Sequence, residues 1–168
     1  MLPLKRILCP TDFSADSRAA MRVANEMALY FSAELTLVHV IPAPLPAVWP
    51  YEGFGINPVN VGGDPEDTLK ACRRMLEDDA REFVSADADV RLEVVEGEPA
   101  GEILDLAAGT KADIIVLATH GHNRLRKALF GSTAEKVVKD SPCPVITLHA
   151  GQEAAGLAES SPTRKAEV

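Results

Sequence analysis

Three stretches of the sequence carry residue types suited to holding an anion: Pro10-Thr11-Asp12, Thr119-His120-Gly121-His122 and Gly131-Ser132-Thr133. Each borders an apolar run, so each stands at the end of a regular element. A glycine lets a phosphate come close to the main chain, and the first turn of a helix offers unpaired N–H groups at the positive end of its dipole. Gly131-Ser132-Thr133 meets both conditions if it opens a helix, with the Ser132 or Thr133 hydroxyl as a further donor. Asp12 is an acceptor for ribose hydroxyls, or a holder of hydrated Mg2+ beside phosphates. The plain alternative is capping, because Asp12, Ser132 and Thr133 are all good N-cap residues. Arg124, Arg126 and Lys127 lie between the second and third stretches, as charge that either neutralises phosphate or covers a solvated loop.

Other chemistries find less support in these residues. His120 and His122 would make two ligands of a metal site, but the sequence does not place a third. Thr119-His120-Gly121-His122 also fits the T-x-G-H motif of nucleotidylyltransferases, which belongs after a first strand and not after a fourth. His39, on an apolar strand, and His149, after the last one, read as structural. There is no G-x-x-x-x-G-K-[ST], no G-x-G-x-x-G after a strand and no nucleophile elbow of the G-x-S-x-G type. Cys9 sits within a strand and should be inert, and Cys143, between two prolines, should be packed.

The elements that must position these stretches alternate regularly. Arg6 to Pro10 is a short apolar run of the kind found inside a parallel sheet. Ser14 or Asp16 caps a helix marked by Ala20, Val23, Ala24, Met27, Ala28 and Phe31. Glu34 to Ile41 is a second buried strand, stopped by Pro42, Pro44 and Pro46. A loop carrying Trp49, Tyr51 and Phe54 runs to Gly63, long enough to be a lid, a binding loop or a mobile segment. Asp64-Pro65-Glu66-Asp67 then opens a helix with Leu69, Cys72, Leu76, Ala80 and Phe83 on one face. Val90 to Val95 reads as a strand near a sheet edge, and Ile103, Leu104, Ala107 and Ala108 as a third helix ended by Gly109. Asp113 to Ala118 is the most hydrophobic strand, the fourth helix opens at Gly131-Ser132-Thr133, and Val145 to Leu148 is the fifth strand. Such alternation gives an open, doubly wound α/β fold: a five-stranded parallel sheet of order 3-2-1-4-5 with helices on both faces. Its ligand crevice lies beyond the carboxyl ends of the first and fourth strands, where the winding reverses and where two of the three stretches fall. That position favours the ligand reading of Asp12 and Gly131 over simple capping.

Composition limits the partners. Among 168 residues, 17 Lys and Arg face 25 Asp and Glu, for a formal net charge of −8. An acidic chain is a poor match for nucleic acid or an anionic membrane. No apolar run approaches the ~20 residues of a membrane span, and the first residues lack a signal-peptide core. With three widely spaced cysteines and no C-x-x-C pair, a cytoplasmic protein with reduced thiols is expected. Residues 1–149 form one domain, followed by a tail over 150–168 that is expected to be disordered.

Ile7-Leu8-Cys9-Pro10-Thr11-Asp12-Phe13-Ser14, His39-Val40, Thr119-His120-Gly121, Gly131-Ser132-Thr133-Ala134-Glu135-Lys136-Val137 and Pro142-Cys143-Pro144-Val145 resemble the universal stress protein family. The motifs stand in that family's order over about residues 4–149. Its nucleotide-binding branch carries G-x2-G-x9-G-[S/T]; Gly121, Gly131 and Ser132 match, and Ala118 replaces the first glycine. The resemblance implies an adenine nucleotide such as ATP, with or without Mg2+, as ligand. Pro10, Thr11, Asp12 and Val40 would hold base and ribose, and Ala118, His120, Gly121, Gly131, Ser132 and Thr133 would surround the phosphates, with no catalytic or metal-ligating residue. It further implies stress-response signalling through binding rather than fast catalysis, and a homodimer through the edge strand 145–148. The alternative is a nucleotide-free dimeric interaction protein with a degenerate pocket. If the Ala118 methyl narrows the site, Ala118→Gly should tighten nucleotide binding by roughly 1–3 kcal/mol.

Overall fold

The computed structural model describes residues 3–42, 65–119 and 131–149. Nine elements alternate along the chain: β1 Arg6–Pro10, α1 Ala15–Phe31, β2 Glu34–Pro42, α2 Pro65–Phe83, β3 Val90–Gly97, α3 Pro99–Thr110, β4 Ile114–Ala118, α4 Ser132–Asp140 and β5 Val145–Leu148. The strands form one parallel sheet in the order β3-β2-β1-β4-β5, which is the doubly wound α/β architecture expected from the alternation. The segment carrying Trp49, Tyr51 and Phe54, the residues His120 and Gly121, and the tail 150–168 lie outside the described residues.

Side-chain parity along the central strands shows why both faces are covered. Ile7, Cys9, Leu35, Leu37, Ile114 and Val116 point to one side, where they pack with Met21, Ala24 and Ala28 of α1 and Leu76 of α2. Leu8, Val38, Val40, Ile115 and Leu117 point to the other, against Ala100, Ile103 and Ala107 of α3 and Ala134 and Val137 of α4. A period of two with apolar residues at both phases is the pattern of a strand buried on both faces. β3 and β5 stand at the edges, and their residues are correspondingly half-buried or exposed.

Helix ends follow local chemistry, with two departures from the sequence reading. Ser14 caps α1, its side chain accepting the Ser17 N–H, while Asp12 Oδ1 accepts the Ser14 N–H at 3.1 Å. α3 does not end at Gly109. It continues to Thr110, and Lys111 takes the left-handed turn (φ 54°) while its N–H bonds back to Ala107 and Ala108; closing those carbonyls outweighs the modest strain of a non-glycine there. On α2, Leu69 is exposed, and the buried face instead includes Asp79. The reason is an ion pair across the helix contact: Arg18 Nε lies 3.1 and 3.0 Å from the two Asp79 oxygens. Arg18 and Arg22 also lie over the Phe83 ring, at 5.6 and 4.6 Å from its centroid. α2 is thus fastened to α1 by a forked, charge-assisted contact as well as by Leu76.

A second carboxylate ties the sheet centre together. Asp113 Oδ2, just before β4, accepts the N–H groups of Lys5 and Arg6 at 2.8 and 2.9 Å, where β1 begins. The Lys5 N–H holds the Asp113 carboxyl below its ordinary value, opposed by burial and reinforced by the Arg6 N–H and the nearby Arg6 and Lys5 charges. Glu98 is held low as well, chiefly by Lys136 and then by the N–H groups of Gly101 and Ala100. A carboxyl that binds its proton more weakly folded than unfolded adds stability above its unfolded value and loses it as pH falls through the folded one. Stability measured by denaturant unfolding is therefore expected to drop as pH is lowered below about 4. Asp113→Asn should be less stable than wild type at pH 7 and show a flatter acid limb, whereas an unchanged acid limb would assign the loss to other groups.

Candidate functional site

The site begins with a proline. Thr11 donates its N–H to Val38 O at 2.8 Å, so odd residues of β1 face β2 and even ones face β4. Pro10 faces β4 and has no N–H to donate. The β1–β4 ladder accordingly stops at Leu8↔Ile115, while β1–β2 continues to Pro10↔Val38 and β4–β5 to Ala118↔Leu148. Beyond Leu8 the two central strands separate, leaving a crevice at the point where the winding reverses.

Main-chain groups line this crevice by the same parity. Val40 lies two residues past Val38 and presents its N–H and C=O to the side where β1 has ended. Ile115 and Thr119 bond toward β5, to Pro144 O and Leu148 O, so the main chain of Ala118 between them faces the crevice. The Ala118 methyl packs instead with the apolar cluster on the α1 side, near Ile146 and Leu148.

Asp12 rides on a tightly bonded loop. Thr11 is buried, its Oγ1 accepting the Phe13 N–H at 3.1 Å and lying 3.0 Å from Ser17 Oγ; its side chain belongs to the scaffold and its backbone to the crevice. Phe13 is left-handed (φ 63°), a conformation that costs a bulky residue of order 1–3 kcal/mol unless its surroundings enforce it. Here they do. The Phe13 ring lies 4.2 Å from the His39 ring at 33°, and His39 Nδ1 bonds Thr11 O at 2.8 Å. A carbonyl only accepts, so Nδ1 carries the proton. Burial pushes the His39 ring toward its neutral form, opposed by the Thr11 carbonyl and the nearby Asp12 charge.

The start of α4 is tied to the end of β4. Its N-cap residue is Gly131, so no side chain caps the helix, and neither Ser132 nor Thr133 takes that role. Gly131 N–H donates to Thr119 O at 2.7 Å, joining the end of β4 to the start of α4. Gly131 itself has φ −70° and ψ 155°, ordinary extended backbone. A Cβ there would meet, among the described residues, Thr119 O at 3.4 Å, an ordinary contact. The described fold therefore gives no reason for a glycine at this position. Nearby, Glu98 caps α3 through the N–H groups of Ala100 and Gly101 and also accepts from Lys136 Nζ of α4 at 2.8 Å, which fixes the two helix starts relative to one another.

Of the residues singled out from sequence, Pro10, Thr11, Asp12, Val40 and Ala118 stand at the carboxyl ends of β1, β2 and β4, and Gly131, Ser132 and Thr133 at the start of α4. His120 and Gly121 lie outside the described residues. No group of three metal-ligating side chains occurs among the described residues. Cys9 is buried and its thiol is pushed up to about 12, as an inert core group should be. His39 and Glu98 enter the site's framework without having been singled out. Glu98 directly before Pro99 was a legible cap signal; the partners of both residues, 28 and 38 positions away, were not.

Comparison with known proteins finds similar chains over most of its length. Residues 3–149 match the family model described as the universal stress protein family. A universal stress protein of Methanocaldococcus jannaschii is 32% identical over 145 residues, covering 86% of this chain and 81% of that one. A universal stress protein from Archaeoglobus fulgidus, solved in complex with dAMP, superposes with a TM-score of 0.60 at 21% identity, covering 88% of this chain and 98% of the other. One solved in complex with cAMP gives a TM-score of 0.61 at 21% identity, covering 87% and 97%. These two superpositions establish likeness of fold.

Two substitutions separate fold from site. Ala118→Gly removes a core methyl and loosens a strand, so thermal unfolding should show a loss of about 1 kcal/mol. Gly131→Ala should leave stability within about 1 kcal/mol of wild type, the entropy gain and the poorer cap opposing one another. A large destabilisation by Gly131→Ala would mean that the fold itself requires the glycine.

Proposed function

The chain belongs to the universal stress protein family, and on that premise we propose that it binds an adenine nucleotide in the crevice between β1 and β4, acting by binding rather than by fast catalysis. Val40 would offer its main-chain N–H and C=O to the base. Asp12 would accept from the ribose, with the backbone of Pro10 and Thr11 against the sugar. The phosphates would lie on the uncapped start of α4, received by the N–H groups and hydroxyls of Ser132 and Thr133, with His120 and Gly121 completing that end and Mg2+ as a companion of the phosphates.

The observation that carries this reading is Gly131. It is in a conformation open to any residue, and among the described residues a Cβ would have room and no side chain caps the helix start that follows it. That is what an approaching phosphate needs. The dAMP and cAMP complexes of the structural neighbours agree with an adenine nucleotide as the shared ligand class. Ala118 fits the same site: its methyl is spent in the α1-side cluster, so Ala118→Gly is expected to cost stability without the gain in affinity anticipated from sequence. A cytoplasmic setting is part of the proposal, resting on three widely spaced cysteines that form no disulfide; among the described residues no helix is long and apolar enough to cross a membrane.

β5 supports a further part of the proposal, a homodimer. Val145–Leu148 is an edge strand of four half-buried residues with three apolar side chains, and such edges favour pairing with another chain. Sedimentation across micromolar concentrations should show a dimer, and a monomer throughout would remove this assignment.

For the nucleotide, Gly131→Asp separates the two roles most sharply. An aspartate at the N-cap should stabilise α4 by about 0.5 kcal/mol while placing a carboxylate where a phosphate would sit. Calorimetric titration with ATP is expected to show binding by wild type and at least a tenfold weaker affinity in the variant, with thermal stability maintained (about 1.4 kcal/mol per tenfold). Equal affinities would move the phosphates away from α4.

A further inference from the structure

We propose that His39 is the positioning residue of the ligand site, a clamp from the end of β2 that fixes the loop carrying Asp12. The inference rests on the nucleotide reading of the crevice, but the geometry of the clamp is independent of any ligand. Three contacts converge on residues 11–13 from β2. Val38 O accepts the Thr11 N–H at 2.8 Å, His39 Nδ1–H donates to Thr11 O at 2.8 Å, and the His39 ring lies against the ring of left-handed Phe13. The Thr11 peptide is thereby held on both its N–H and its C=O sides, and the following turn is closed by Phe13 N–H to Thr11 Oγ1 and by Ser14 N–H to Asp12 Oδ1. Asp12 sits between the two residues that His39 touches. Its carboxylate is held by the Ser14 N–H, across the turn that left-handed Phe13 makes, and no described side chain other than His39 bonds the Thr11 carbonyl in this network.

The histidine is suited to this task by its two faces and its one committed nitrogen. An aliphatic residue of β2 would fill the same space without a donor for Thr11 O, and an extended amine would bond the carbonyl without a flat face for Phe13. In the neutral ring favoured by burial, the hydrogen bond requires the Nδ1–H tautomer. Asparagine places its amide N–H close to where Nδ1 stands, whereas phenylalanine keeps the flat ring and loses the donor.

The test compares wild type, His39→Asn and His39→Phe by three measurements. Imidazole 15N shifts of the nucleotide-free wild type at pH 7 are expected to report a neutral Nδ1–H ring. Amide hydrogen exchange at Asp12 and Phe13 should be slow in wild type and His39→Asn and faster in His39→Phe, without a matching rise in the core strands. Titration with ATP should give His39→Phe about a tenfold loss of affinity and His39→Asn a loss within about threefold, the scale of one hydrogen bond. The Nε2–H tautomer, unchanged exchange in His39→Phe, or equal losses in both variants would each overturn the clamp. If wild type binds no ATP, the nucleotide reading fails, and the tautomer and exchange results still decide for or against His39 as the clamp of this loop.

Discussion

One missing hydrogen-bond donor shapes the functional end of this molecule. Pro10 occupies a position of β1 that faces β4 but has no N–H, so the ladder between the two central strands closes after Leu8↔Ile115. On its other side β1 stays paired, because Thr11 faces β2 and donates to Val38. The sheet is therefore zipped on one side of β1 and parted on the other. The features assigned to the crevice gather there: the main chain of Val40 and Ala118 turned toward the gap, and the turn at Asp12 just beyond it.

Parted strands need compensation, and it is found just outside the crevice. Asp113 bonds the first N–H groups of β1, holding β1 and β4 together at the end opposite the gap. Glu98 joins the starts of α3 and α4 through Lys136, and Gly131 joins β4 to α4 through Thr119. Each contact is modest when solvent-exposed. Their value is geometric, since they fix where helix starts and strand ends stand relative to one another. The left-handed Phe13 belongs to the same economy of shape: local strain is tolerated at the one turn whose direction matters, because packing on His39 and the bonds of Thr11 leave it no alternative.

How much of this was legible in the sequence depends on the range of the interaction. Strand order and the two-faced burial were readable, because runs such as Ile7-Leu8-Cys9 and Ile114-Ile115-Val116 are apolar at both phases, and four helical patterns separate five strands. The proline ending β1 and the glycine opening α4 marked the crevice for the same local reason. What the sequence misplaced was decided by partners far along the chain or by competing local bonds. Gly109 looked like a helix stop, but the carbonyls of Ala107 and Ala108 were closed by Lys111 and Ala112 instead. Asp79 carried no signal of burial in its own neighbourhood; it is buried because α1 brings Arg18 against it. His39 read as an ordinary core histidine because nothing local shows that Thr11 O lies within reach of its ring. Ala118 looked like an obstruction, and only the parity of β4 shows its methyl turned toward α1 and its main chain toward the crevice.

The central claim is that an adenine nucleotide occupies the gap opened by Pro10 and rests its phosphates on the start of α4. Titration of isotopically labelled protein with ATP, followed through backbone amide resonances, tests it most directly. Shifts concentrated at Thr11, Asp12, Val40, Ser132 and Thr133, with the outer faces of α1 and α2 unmoved, are the expected result. A saturating response confined to other residues, or none at millimolar ATP, would contradict the account.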